Sequence, residues 1–228
     1  MVLRAIFASM LLIFLRGAGA MDITGKELEA HLRGEYSRGF GYCGDFSVIG
    51  AVKPIESVTL RGGLSAGSLS DVSNIKAFSS VRAAPFSKLP LTFSLIYDYD
   101  GLLDYDVHTH SILPVVSYNT ARVGISYGPN FRFTSFFGES VQFEPINSIS
   151  VYFNAINNEK RRLEAVIGNF GDFYAKNMGA YSLKLNYAAF ITVNWTLIGG
   201  IELLQSGSDV LSANFYGTAF RGGAKYSW

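Results

Sequence analysis

The segment Asp98-Tyr-Asp100-Gly-Leu-Leu-Asp104-Tyr-Asp106-Val-His108-Thr-His110 gathers the densest set of metal-ligating side chain types in this sequence. Asp104, Asp106, His108 and His110 share one parity. On an extended backbone the two imidazoles then project from one face, with carboxylates close by. That spacing suits a divalent metal bound at an outer loop. The same residues also make an acidic, solvated loop with two ordinary histidines, and both readings stand. The third histidine, His31, stands alone, and no other cofactor is expected. Hydrolysis by a serine needs nucleophile and base within hydrogen-bond reach. His110 and Ser111 are adjacent and point to opposite faces, and His108 and Ser111 also differ in parity. No enzyme is expected.

A second set of residues bears on transport. Arg61, Lys76, Arg82, Arg122, Arg132, Arg162, Lys184, Arg221 and Lys225 all take the polar parity of alternating runs. Asp98, Glu164 and Glu202 are the acids on that parity. If the runs close into a barrel, this parity is the lumen and its lining is basic on balance. A basic lining lowers the cost of entry for carboxylate, phosphate or sulfate groups. The competing arrangement pairs Arg162 or Lys184 with Glu164 and Glu202 as a packed polar plug.

The elements that must position these residues are strands. At the C-terminus, Phe220, Gly222, Ala224, Tyr226 and Trp228 alternate with Arg221, Gly223, Lys225 and Ser227. One face suits lipid, the other does not, and the chain ends on an aromatic, as at a membrane interface. The same period of two recurs around Val58–Gly62, Leu91–Asp98, Arg122–Tyr127, Ser148–Asn154, Arg162–Gly168, Leu183–Ile191 and Trp195–Leu203. Less regular runs at Phe46–Val52, Asn74–Ala83 and Ser111–Tyr118 add further strands, with Pro114 marking a bulge or a broken ladder. With a segment inside Leu32–Tyr42, the count reaches twelve, and ten is the next choice. Short turns are expected at Val52–Pro54, Pro85–Lys88, Tyr118–Ala121, Ile156–Lys160 and Thr192–Asn194. Longer outer connections are expected at Ala66–Ser73, Tyr99–Val107, Phe136–Ile146, Gly171–Gly179 and Gln205–Asp209.

Composition agrees with a barrel. Charged residues make up 16% and mean hydropathy is +0.22, yet past residue 20 no apolar run is long enough to cross a bilayer as a helix. A barrel resolves this, because half of each strand faces lipid. A soluble β-sandwich also alternates, but it does not need so many Leu, Ile, Val and Tyr on the outer parity. Arg4, the apolar run Ala5–Leu15 and Ala18-Gly19-Ala20 read as a secretory signal peptide cut after Ala20. The domain reading is therefore a signal peptide over 1–20, a short periplasmic lead over 21–31, and a barrel over 32–228. The single Cys43 has no internal disulfide partner and is read as a small hydrophobic side chain. A net charge of +1 gives no sign of nucleic-acid binding.

The C-terminal alternation resembles the signature of bacterial outer-membrane β-barrels, by which the assembly machinery takes up its substrates. The resemblance implies that Phe220, Tyr226 and Trp228 carry that signal, with both termini periplasmic. By length and lumen arginines, the chain looks like the small monomeric porins for acidic oligosaccharides, an analogy of class. The expectation is an all-β transmembrane barrel in the outer membrane, serving as a small diffusion channel for anionic solutes. The alternative is a cell-surface adhesin or host-interaction barrel with a plugged lumen and an extracellular ligand.

Overall fold

In the computed structural model, residues 25–38, 41–69, 72–137, 141–169, 181–205 and 215–228 are described. The signal peptide expected over 1–20 lies outside them, as does the loop expected at Gly171–Gly179. Strands form where apolar and polar residues alternate, and there are twelve: β1 (Gly25–Ser37), β2 (Gly41–Ile55), β3 (Val58–Leu69), β4 (Val72–Ala83), β5 (Leu91–Leu102), β6 (Val107–Asn119), β7 (Val123–Phe136), β8 (Gln142–Asn157), β9 (Arg161–Gly168), β10 (Ser182–Phe190), β11 (Trp195–Gln205) and β12 (Phe215–Ser227). Each pairs antiparallel with its sequence neighbours, and β12 pairs with β1 to close the barrel. Closure leaves no sheet edge, which is what a strand structure in lipid requires.

The barrel is polar inside and apolar outside. Leu32, Phe46, Val48, Leu64, Leu95, Ile112, Val116, Leu185 and Leu197 are all exposed large hydrophobics. The buried set instead includes His31, Ser47, Ser65, Asn130, Arg132, Ser148 and Glu202. A water-soluble sandwich would invert this distribution. From Leu28 to Tyr36 the outward row of β1 runs about 26 Å along the strand at the ordinary rise. Strand tilt shortens that to about 20 Å, near the apolar band height of such barrels. Aromatic rings mark both ends of the band. Trp195, Tyr226 and Trp228 meet ring to ring at the end where β1 begins and β12 ends, the terminal end of the barrel, with centroids 4.9 and 5.5 Å apart. Tyr36 and Tyr42 meet at 4.9 Å at the other end. Trp228 also exchanges backbone hydrogen bonds with Lys26, which fastens the end of the chain to the first strand.

Several boundaries differ from expectation. Residues 25–31, expected as a lead, are the first half of β1. Its outward row Leu28, Ala30, Leu32, Gly34, Tyr36 carried the signal, but the many charges on the other parity masked it. The turn expected at Val52–Pro54 lies inside β2. Pro54 has no N–H to donate, and the ladder shifts register there instead of ending. Two outer connections are shorter than expected: β4 begins three residues after β3 ends, and β5 joins β6 through one 3-10 turn, Leu103–Tyr105, closed by left-handed Asp106. Alternation of short with long connections therefore does not hold across the first eight strands.

Pro114 does interrupt a ladder. β6–β7 pairing stops at Ile112↔Phe131 and resumes at Val116↔Tyr127. Gly128 faces this gap, and a Cβ there would collide with the Pro114 carbonyl oxygen. Gly128→Ala should therefore cost about 1–3 kcal/mol by overpacking. Urea unfolding of the lipid-reconstituted protein should show an earlier midpoint than wild type, and an unchanged midpoint would refute the tight approach.

Candidate functional site

The candidate site is the lumen wall built by β1, β2, β3 and β9 to β12. Register sets side chains into rows across these strands. Asp45, Arg33, Arg221, Gly200, Asn186 and Glu164 form one row, and Cys43, Glu35, Ala219, Glu202 and Lys184 form the next. Two arginines, Arg33 and Arg221, are direct cross-strand partners, an arrangement that repels unless each finds an anion or acceptor. Small neighbours let them part. Arg33 reaches over Ala219 to Glu202 at 3.2 Å, and also holds Glu35 at 2.6 Å and Asp45 at 3.7 Å. Arg221 donates to Asn186 Oδ1 at 3.2 Å, across Gly200, where a Cβ would press that same oxygen at 3.0 Å.

The network continues in both directions. Lys184 Nζ lies 3.6 Å from Glu202, and Asn186 donates to Glu164 at 3.2 Å. Towards the end with the termini, Glu29 holds both His31 at 3.0 Å and Arg61 at 3.4 Å, and Lys225 meets Glu27 at 3.5 Å. The Arg61 guanidinium also sits over the Phe78 ring, 5.8 Å from its centroid. On the other wall, Lys76 meets Asp100 at 3.8 Å and Arg132 meets Glu144 at 3.3 Å. Such pairs hold side chains in fixed positions across the wall, and their net stabilisation is small because desolvation offsets attraction.

This changes the expected charge balance. By strand parity the lumen holds Glu27, Glu29, Glu35, Asp45, Asp98, Asp100, Glu144, Glu164 and Glu202, nearly as many acids as bases. Glu27, Glu29, Arg33 and Glu35 are lumen residues beyond those expected from sequence, because the dense charge of β1 hides its alternation. Arg122, expected on a strand, stands exposed in the β6–β7 turn. Arg82 and Arg162 lie at the strand ends nearest the chain termini and are exposed. Among the described residues, Arg82, Arg122 and Arg162 have no ion-pair partner. Cys43 faces the lumen beside Glu35 rather than filling an apolar core.

The expected metal set is not assembled. Asp104 accepts from the Ser73 backbone N–H at 2.6 Å, and Asp106 engages His108 Nε2 at 3.0 Å. Tyrosine hydroxyls occupy the Nδ1 atoms of both histidines, Tyr99 on His108 at 2.9 Å and Tyr97 on His110 at 2.8 Å. Among the described residues no three His, Cys, Asp or Glu side chains form a group able to hold a metal ion. Both histidines pair across strands with outward-facing residues, Gly101 and Tyr99, so they stand on the barrel exterior.

No protein-family model matches the chain, and no curated protein matches it. Solved structures do. The translocator domain of the autotransporter NalP from Neisseria meningitidis is similar with a TM-score of 0.54 at 13% identity, over 98% of this chain and 95% of that one. The KdgM porin in complex with disordered oligogalacturonate is similar with a TM-score of 0.57 at 9% identity, over 88% of this chain and 99% of that one. Outer membrane phospholipase A from Escherichia coli is similar with a TM-score of 0.52 at 9% identity, over 88% and 92%. The last likeness overturns the expectation of no enzyme, since an enzyme shares this fold. At such identity the likeness carries the fold and no activity. Parity along one strand also does not limit which serine a histidine can meet, because neighbouring strands bring others alongside. Across the ladder, Ser135 of β7 pairs with His108, although its hydroxyl donates to the His108 carbonyl oxygen at 3.5 Å and not to the ring. The chain has the closed, twelve-stranded fold of bacterial outer-membrane β-barrels.

Proposed function

We propose that this protein is an outer-membrane diffusion channel for small anionic solutes, with both termini in the periplasm. Phe220, Tyr226 and Trp228 would serve as its signal to the assembly machinery. The observation that carries the reading is the uneven pairing of its cations. Inside the lumen, Arg33, Arg61, Lys76, Arg132, Lys184 and Lys225 each have a carboxylate partner, and Arg221 is held by the Asn186 amide oxygen. At the mouth where β1 begins and β12 ends, Arg82, Arg122 and Arg162 have no ion-pair partner among the described residues. Unpaired charge at a mouth raises the local concentration of counter-ions, and paired charge does not. Anion preference therefore belongs to the mouth, in place of the basic lumen expected from sequence.

A plugged barrel acting through its outer loops is the second reading, favoured by the Arg33 network that spans β2, β1 and β11. Single-channel conductance of the refolded protein in a planar bilayer under a salt gradient separates the two. Stable steps with an anion-leaning reversal potential are expected. A folded, inserted protein without steps would sink the channel reading and support the plugged one.

A further inference from the structure

The exterior of β5 and β6 carries a polar cluster where a lipid-facing surface ordinarily has none. Tyr97, Tyr99, His108 and His110 all point outward; His108 and His110 lie in the first four residues of β6, Tyr99 in the last four of β5, and Tyr97 two residues further in. Ionisable side chains on the lipid face of a barrel are costly at mid-depth and tolerated near the interface. This cluster is also ordered. Tyr97 and Tyr99 hydroxyls hold His110 and His108 by Nδ1, at 2.8 and 2.9 Å. The rings stack in the same pairs, with centroids 6.2 and 6.0 Å apart, and Tyr99 also contacts the His110 ring at 5.2 Å. Tyr99 leans over Gly101, where a Cβ would collide with its hydroxyl oxygen at 2.5 Å.

A tyrosine hydroxyl donating to Nδ1 leaves Nε2 as the protonated nitrogen. In His108 that N–H is used, on Asp106 at 3.0 Å. In His110, Nε2 has no partner among the described residues. With Tyr97 as the donor, His110 presents an unpaired Nε2–H on the outer face of the barrel, with the tyrosine hydroxyls beside it. We propose that the Tyr97–His110 pair is a lipid site on the barrel exterior, in which His110 Nε2–H donates to the phosphate of a headgroup in the adjoining leaflet. The site does not depend on whether the lumen conducts.

The test is native mass spectrometry of the refolded full-length protein with phosphatidylglycerol and with diacylglycerol of the same chains. Wild type should retain phosphatidylglycerol and not diacylglycerol. His110→Phe, which keeps an aromatic ring in the girdle, should retain several-fold less, and Tyr97→Phe, which removes only the anchoring hydroxyl, an intermediate amount. Heat-shifted gel mobility reports folding of each variant, and if His110→Phe does not fold, Tyr97→Phe carries the comparison. Equal retention by wild type and the folded variant, or equal retention of both lipids, would overturn the proposal. Inorganic phosphate, followed by the ring 15N shifts of His110, tests the other source. A shift without lipid retention would make this a site for soluble phosphate and overturn the lipid assignment.

Discussion

Arg33→Met is expected to destabilise the barrel by about 3–5 kcal/mol, the cost of leaving buried charge without its partner. The Arg33 side chain is 8% exposed and faces Glu35, Asp45 and Glu202, whose side chains are 15%, 13% and 10% exposed. Removing the guanidinium leaves three carboxylates around one methionine, in a part of the wall where water screens little. Lys184 remains near Glu202 at 3.6 Å and offsets part of the loss there. Adding Glu202→Gln should therefore recover some stability, because it removes one of the stranded charges. The check is a double-mutant cycle by urea unfolding in lipid vesicles, with coupling between the two positions expected. If Arg33→Met unfolds with wild type, the network is a wetted, loosely held one and the plugged reading loses its support.

The triple variant Arg82→Gln, Arg122→Gln, Arg162→Gln should remove most of the anion preference while leaving the barrel folded. These side chains are exposed and have no ion-pair partner among the described residues, so their loss strands no buried acid. What they supply is potential at the mouth, which acts on entry and weakens with salt. In a planar bilayer under a KCl gradient, the chloride-to-potassium permeability ratio should fall several-fold. The difference from wild type should shrink as both compartments are raised in salt. Lys184→Met, placed within the paired network, should change selectivity much less. Should the triple variant keep the wild-type reversal potential, the mouth arginines are not the selectivity element and the lumen wall must be.

How far the site was legible follows from what each feature depends on. The outward row Phe220, Gly222, Ala224, Tyr226 is readable because side-chain direction on a strand is a local property with a period of two. Twelve strands could be counted for the same reason, and Pro114 announced its break in the ladder because a missing N–H is a property of the residue itself. On β6 the pattern was ambiguous. Ile112 and Val116 face out while Leu113 and Val115 face in, so apolar residues mark neither face. The parity shared by His108 and His110 was visible, but which side of the wall it meant was not.

By itself, then, the sequence determined a closed barrel with an apolar exterior and a polar lumen, because those follow from alternation repeated along one chain. Only the tertiary structure decided which charges are neutralised. Arg33 meets Glu202 because closure of β1 on β12 sets their register and Ala219 leaves room between them. Residues far apart in the chain become neighbours through strand order and stagger, and neither quantity is carried by local pattern. The same closure leaves Arg82, Arg122 and Arg162 at a mouth with no ion-pair partner among the described residues, because charge pairing depends on where strands end as well as on what they contain.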